Sequence, residues 1–305
     1  MTYAIGNVLD VPPTLAAGRF RCCVTSPPYW GLRDYGHADQ LGLEPTPAEY
    51  VERMVRVFRE VRRVLADDGT CWINIGDSYI GSAASGGAQR LGPDGDLDNQ
   101  RNEVRLCKSG LPSKNLVGIP WRLAFALQSD GWFLRSDIIW AKPSPMPESV
   151  TDRPTRSHEY VFLLSKRPRY YYNARAVCEP AIWKGQRRRK REPVASAMPG
   201  APSHVGLRHD EPNGTRNARS VWTIAATPFK GAHFAVMPPV LAERCIRAGS
   251  AVGDEVLDPF LGSGTVGMVC EALGRRWFGV ELQPDYAPLI EQRTARGPLL
   301  RRAAP

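Results

Sequence analysis

Two short stretches carry residue types at spacings that could do chemistry. The first is Val24-Thr25-Ser26-Pro27-Pro28-Tyr29-Trp30. Adjacent prolines cannot donate to a sheet ladder, so they end the strand suggested by "RCCVT" and hold the turn rigid. A stop of this kind needs no large rings, yet two aromatics follow it, as they would in a platform at the mouth of a site. The second stretch is Asp258-Pro259-Phe260-Leu261-Gly262-Ser263-Gly264-Thr265, between a buried-type strand and a helix. Gly262 and Gly264 let the backbone approach a ligand, and the helix start offers unpaired N–H groups. Glu281, 19 residues beyond Gly262, ends the next strand at a distance that suits ribose hydroxyls. No Gly-Lys-Ser/Thr ending is present, and the Asp258 carboxylate would repel a pyrophosphate. S-adenosylmethionine meets these constraints: it has a ribose, no phosphate, an ammonium group and a sulfonium centre.

The elements that must position these stretches follow from periodicity. "YAIGN" and "RCCVTS" read as strands, and "PAEYVERMVRVFREVRRVLADDG" as the clearest helix. Its Val51, Met54, Val55, Phe58, Val61 and Leu65 recur at spacings of three and four, with Gly69 as the expected stop. "TCWINIGDSY" is then a strand, and strand–helix–strand suggests a parallel sheet. "IPWRLAFALQSDGW" reads as a helix, "FLRSDIIWAK" and "HEYVFLLSK" as strands, and residues 236–282 as helix–strand–loop–helix–strand. Two stretches lack periodicity. Residues 81–112 are rich in Gly, Ser and Asp and are expected to form a mobile loop. The basic, proline-punctuated segment within 176–220 separates two blocks, 1–175 and 221–305, expected to form one domain.

The chain has 305 residues, ordinary hydrophobic (43%) and charged (23%) fractions, and a net charge of +9. That excess of Lys and Arg favours a polyanionic partner. Seven cysteines without a CxxC pair point to reduced thiols and no zinc site. No apolar run approaches the length of a membrane span and no signal peptide is apparent, so a cytoplasmic protein is expected.

"DPFLGSGT" resembles the cofactor motif of the amino-group DNA methyltransferases, and "TSPPYW" their catalytic motif. The catalytic motif comes first, as in the circularly permuted β class of that family. "GTCWINIGDSY", "GWFLRSDIIWAKPSPMP", "RSHEYVFLLSK" and "GVEL" also stand where the family has counterparts. The resemblance implies a Rossmann-like α/β fold with a seven-stranded, mostly parallel sheet and helices on both faces. It places Asn7, Asp258, Pro259, Phe260, Gly262, Ser263, Gly264, Thr265 and Glu281 on S-adenosyl-L-methionine, with His233 and Phe234 in a segment at its methionine end.

The resemblance also implies double-stranded DNA as the partner, no metal, and a monomer or homodimer. An exocyclic amine is a poor nucleophile because its lone pair is delocalised into the ring. Two acceptors on its N–H groups favour the pyramidal form, and Ser26 Oγ and the Pro27 carbonyl can serve, with Pro28 holding the turn. Tyr29 would stack on a base flipped out of the duplex. Family usage associates Ser-Pro-Pro-Tyr with cytosine N4 and Asp- or Asn-Pro-Pro-Tyr with adenine N6. Adenine N6 therefore stays open, as does a catalytically inactive DNA-binding relative, whereas carbon-5 methylation lacks its Pro-Cys nucleophile. Lys142, Arg153, Lys184, Arg187, Arg188, Arg189, Lys190 and Arg191 are the candidate DNA contacts. Trp30 reads as pocket wall or core. Asp77 reads equally as a site residue or a structural hydrogen-bonding group.

Overall fold

The computed structural model describes residues 2–80, 110–181, 214–226 and 236–295. The chain begins with β1 (Tyr3–Ile5) and β2 (Phe20–Thr25), then α1 (Pro47–Val64) runs straight into β3 (Leu65–Ile75). Thr46 caps α1: its hydroxyl accepts from Glu49 N at 3.2 Å, and Pro47 opens the first turn. The buried stripe is Tyr50, Met54, Val57, Phe58, Val61 and Val64, while Val51 and Val55 pack at its margin. The expected stop at Gly69 is corrected by the structure. Leu65 already has extended backbone and pairs with Phe20, so β3 begins there and Gly69 lies within the strand.

Beyond β3 come α2 (Ile119–Ser129), β4 (Phe133–Ala141) and β5 (His158–Ser165). A two-stranded ribbon of β6 (Glu179–Pro180) and β7 (Thr215–Arg216) precedes the short β8 (Val221–Thr223). Then α3 (Pro239–Gly249), β9 (Glu255–Asp258), α4 (Thr265–Leu273), β10 (Arg276–Glu281) and α5 (Ala287–Ala295) complete the described chain.

The main sheet has the order β1-β10-β9-β2-β3-β5-β4-β8. Every pair is parallel except those made by β5, which runs against both of its neighbours. Relative to the seven strands implied by the resemblance, the described sheet holds an eighth, the three-residue β8 beside β4. Side chains alternate between two cores. Cys23, Ile73 and Ile75 face α1 and α2, whereas Cys22, Val24 and Trp72 face α3 and α4. Cover on both faces explains the near-continuous burial of β2 and the second half of β3. The six described cysteines are free. Among the described residues no helix is long and apolar enough to cross a membrane.

Candidate functional site

The five neighbouring parallel strands β1, β10, β9, β2 and β3 all end at one edge of the sheet. Connections leave β9 and β2 toward opposite faces, since α4 packs in one core and α1 in the other. That divergence opens a crevice outside the strand ends, the usual ligand position in open α/β sheets. Both motifs lie there. The cleft is lined by Asn7, Ser26 to Tyr29, Asp258 to Ser263, Thr265 and Glu281.

The cofactor half is built largely on backbone groups. Gly262 and Gly264 have φ of 53° and 78°, which lets the chain turn from β9 into α4. Glu281 is buried, and its carboxylate accepts from Gly262 N at 2.7 Å and Gln283 N at 2.8 Å. Desolvation raises its pKa despite those bonds. Asp258, also buried, accepts from Thr25 Oγ1 at 2.7 Å and Phe260 N at 3.1 Å, which ties β9 to β2. Burial pushes its carboxyl up to about 7, and the nearby Glu281 charge adds to the rise.

Ser263 lines the cleft and is held by Arg293: its carbonyl takes a 3.0 Å bond from Arg293 Nη1, and its hydroxyl contacts the same group. Asn7 lines the cleft but spends its side-chain oxygen on Leu9 N at 2.8 Å. Thr265 Oγ1 is buried at the start of α4 with no hydrogen-bond partner. A buried hydroxyl left open beside a glycine turn fits a polar ligand, and the remaining acceptor capacity of Glu281 fits ribose hydroxyls. These residues therefore suit S-adenosyl-L-methionine. His233 and Phe234 lie outside the described residues.

The half of the cleft at Ser26–Tyr29 is held by side chains. Tyr50 Oη donates to the Pro28 carbonyl at 2.8 Å, and no described residue donates to the Pro27 carbonyl. Trp30 is core, 1% exposed, with its indole N–H on the Glu44 carbonyl at 2.9 Å. Tyr29 is half-buried. A Cβ built on Gly76 would fall 2.6 Å from Tyr29 Cε2, so the ring rests directly on that glycine's backbone. Its hydroxyl donates to Glu159 Oε2 at 2.6 Å, and Glu159 also takes Asn74 Nδ2 at 3.1 Å and the Lys142 ammonium.

Sequence reasoning did not find Thr25, Asn74 or Gly76, nor the link from Glu159 to Tyr29. The pairing of His158-Glu159 with the family's counterpart segment was the available signal for that link. Asp77 serves the fold: its carboxylate accepts from Gly118 N and Ile119 N at 3.1 and 2.9 Å, capping α2. Among the described residues no cluster could hold a metal ion. Lys142 is paired with Glu159, and Arg153 with Glu148 at 2.7 Å, the latter stacked over Tyr79. Lys184, Arg187, Arg188, Arg189, Lys190 and Arg191 lie outside the described residues.

An open, mostly parallel sheet with a glycine turn and an acidic strand end at its crevice defines a Rossmann-like α/β fold. Solved structures share it. The PvuII DNA methyltransferase (cytosine-N4-specific) superposes with a TM-score of 0.64 at 19% identity, over 99% of this chain and 87% of its own. A putative DNA modification methylase from Thermus thermophilus, solved with S-adenosyl-L-methionine, gives 0.58 at 25% identity, over 96% and 93%. In sequence, the N6/N4 family described as DNA methylase matches residues 20–292. Type II methyltransferase M.XycI of Xanthomonas campestris pv. cyanopsidis is 47% identical over 94% of this chain and 85% of its own length. M.SmaI of Serratia marcescens is 46% identical over 96% and 90%. The chain belongs to this DNA methylase family and is an S-adenosyl-L-methionine-dependent DNA methyltransferase of restriction–modification type.

Proposed function

We propose that the protein methylates the exocyclic N4 amine of cytosine at a specific site in double-stranded DNA, by base flipping and direct in-line transfer. The observation that carries this reading is the Ser26–Pro27 turn at the same sheet edge as Asp258 and Glu281, with the Pro28 carbonyl occupied by Tyr50 and the Pro27 carbonyl free of described donors. S-adenosyl-L-methionine supplies an electrophilic methyl group when bound. Ser26 Oγ and Pro27 O accept the two amine hydrogens and favour the pyramidal nitrogen, so positioning dominates and no covalent enzyme intermediate is required. Tyr29, resting on Gly76, offers a flat face to the extruded base, a contact worth about 1–3 kcal/mol.

The choice of cytosine follows the Ser-Pro-Pro-Tyr usage, and the cytosine-N4 specificity carried in the PvuII neighbour's name agrees with it. Residues 1–175 and 221–305 form the catalytic domain, and 176–220 is the inserted recognition segment carrying Lys184, Arg187, Arg188, Arg189, Lys190 and Arg191. Glu179 supports its base: it contacts Arg216, Arg219 and Arg244 at 3.5, 3.1 and 2.7 Å. Lys142 and Arg153 add phosphate contacts near the cleft. Methylation-aware sequencing of DNA from an expressing host tests base and site together. N4-methylcytosine in one sequence context is expected; N6-methyladenine alone would overturn the assignment.

A further inference from the structure

The strands that carry the two motifs separate at the mouth of the cleft. β2 and β9 pair in parallel at Cys22–Val256 and Cys23–Leu257, and their ladder stops there. Beyond that point each strand stays paired on its outer side, Thr25 with Ile73 of β3 and Asp258 with Gly279 of β10. A side chain spans the opening: Thr25 Oγ1 donates to Asp258 Oδ1 at 2.7 Å. Phe260 N donates to the same oxygen at 3.1 Å, and no described residue donates to Oδ2. Thr25 is fully buried, and Asp258 is 4% exposed where it lines the cleft. Burial pushes this carboxyl toward its neutral form, and the bonds from Thr25 and Phe260 N pull it back toward the charged one. Thr25 thus helps to fix which oxygen is spent on the protein and supports the charge on the one that is not.

We propose that Thr25 is a positioning residue for cofactor binding, holding the Asp258 carboxylate so that Oδ2 serves the positively charged amino-acid end of S-adenosyl-L-methionine. The inference rests on the reading that Asp258 meets that end of the cofactor while Glu281 takes the ribose. Thr25 acts through Asp258. An aliphatic side chain of the same shape, as in Thr25→Val, leaves Oδ1 with Phe260 N alone. In a buried site an under-paired carboxylate rotates or takes up a proton. Either change withdraws negative charge from the place where the ligand carries its positive charge. The boundary between binding and chemistry therefore falls between two adjacent residues. Thr25 serves the cofactor, and Ser26 faces the target amine in the proposed reaction.

The test is calorimetric titration of the full chain with two ligands, S-adenosyl-L-methionine and methylthioadenosine. The second keeps the adenine and ribose but carries neither an ammonium nor a sulfonium group. Thr25→Val removes one charge-assisted hydrogen bond. It is expected to weaken S-adenosyl-L-methionine by about 10-fold and to leave methylthioadenosine within about twofold. Thr25→Ser, which restores the donor, should return the affinity to within about threefold of wild type. Asp258→Asn should weaken S-adenosyl-L-methionine at least as much, and the double variant should bind no more weakly than Asp258→Asn alone. Equal losses for both ligands in Thr25→Val would mean a loosened fold, and an unchanged affinity for S-adenosyl-L-methionine an idle hydroxyl; either overturns the proposal. So would a Thr25→Ser variant as weak as Thr25→Val. Should Thr25→Val fail to fold, Thr25→Cys, of similar size and a weak donor, is read by the same criteria. Asp258→Asn with wild-type affinity refutes the underlying reading of Asp258. A weakened Asp258→Asn beside an unaffected Thr25→Val refutes the role of Thr25 only.

Discussion

The two halves of the cleft are built differently. In the cofactor half, Glu281 is held by the backbone N–H groups of Gly262 and Gln283, and Asp258 by Phe260 N together with Thr25. In the catalytic half, the Ser-Pro-Pro-Tyr turn depends on side chains brought from elsewhere. Tyr50 comes from α1, Asn74 from β3, and Glu159 from β5, 130 positions from Tyr29. A ribose and an amino acid need a fixed cradle, which a strand–turn–helix supplies locally. On the proposed reading, an amine that must change geometry needs acceptors set one by one, and side chains from separate elements hold the turn that carries them.

The sharpest probe of the cofactor half is its buried acid. Asp258 titrates at about 7 in the folded protein, against about 3.9 when unfolded. Between those values the folded state binds more protons, so this group's contribution falls as pH rises from about 4 to about 7. Asp258→Asn keeps an acceptor for Thr25 and Phe260 N and removes the titration. Urea unfolding of the cofactor-free proteins across that range should show the variant gaining on wild type by up to about 4 kcal/mol. Parallel curves would mean the carboxyl is not desolvated as described.

Gly76→Ala probes the catalytic half through shape alone. The new methyl would lie 2.6 Å from Tyr29 Cε2 and must displace the ring, so transfer should slow by about 100-fold while cofactor affinity stays level. Equal loss of both would collapse the distinction between the halves. The smallest effect belongs outside the cleft. Glu179→Ala leaves three guanidinium groups without their shared carboxylate and should lower stability by about 1 kcal/mol in thermal or urea unfolding, because Arg219 is largely exposed.

That same division decides what could be read from the sequence. The strand–turn–helix at Asp258–Thr265 and its acidic partner Glu281 are close in the chain and obey local rules, so cradle and ligand class were legible. The Ser-Pro-Pro-Tyr motif was legible as a motif, but its supports were not: no periodicity reveals that Glu159 meets Tyr29. The Gly69 stop failed because pairing of Leu65 with Phe20 outweighed the local preference for glycine at a helix end. Tyr50, Val57 and Val64 belong to the buried α1 stripe although the apolar spacing did not single them out, and Tyr50 sits there with its hydroxyl on the Pro28 carbonyl. The ribbon of β6 and β7 gave no signal, since two-residue strands carry no period.

The central claim is that binding and chemistry are separately built, with Ser26 on the chemical side. The most direct measurement is Ser26→Ala, followed by calorimetry with S-adenosyl-L-methionine and by single-turnover transfer to duplex DNA. The account predicts cofactor affinity within about twofold of wild type and transfer reduced by about 100-fold or more. Near-wild-type transfer, or a loss explained by weaker cofactor binding, would contradict it.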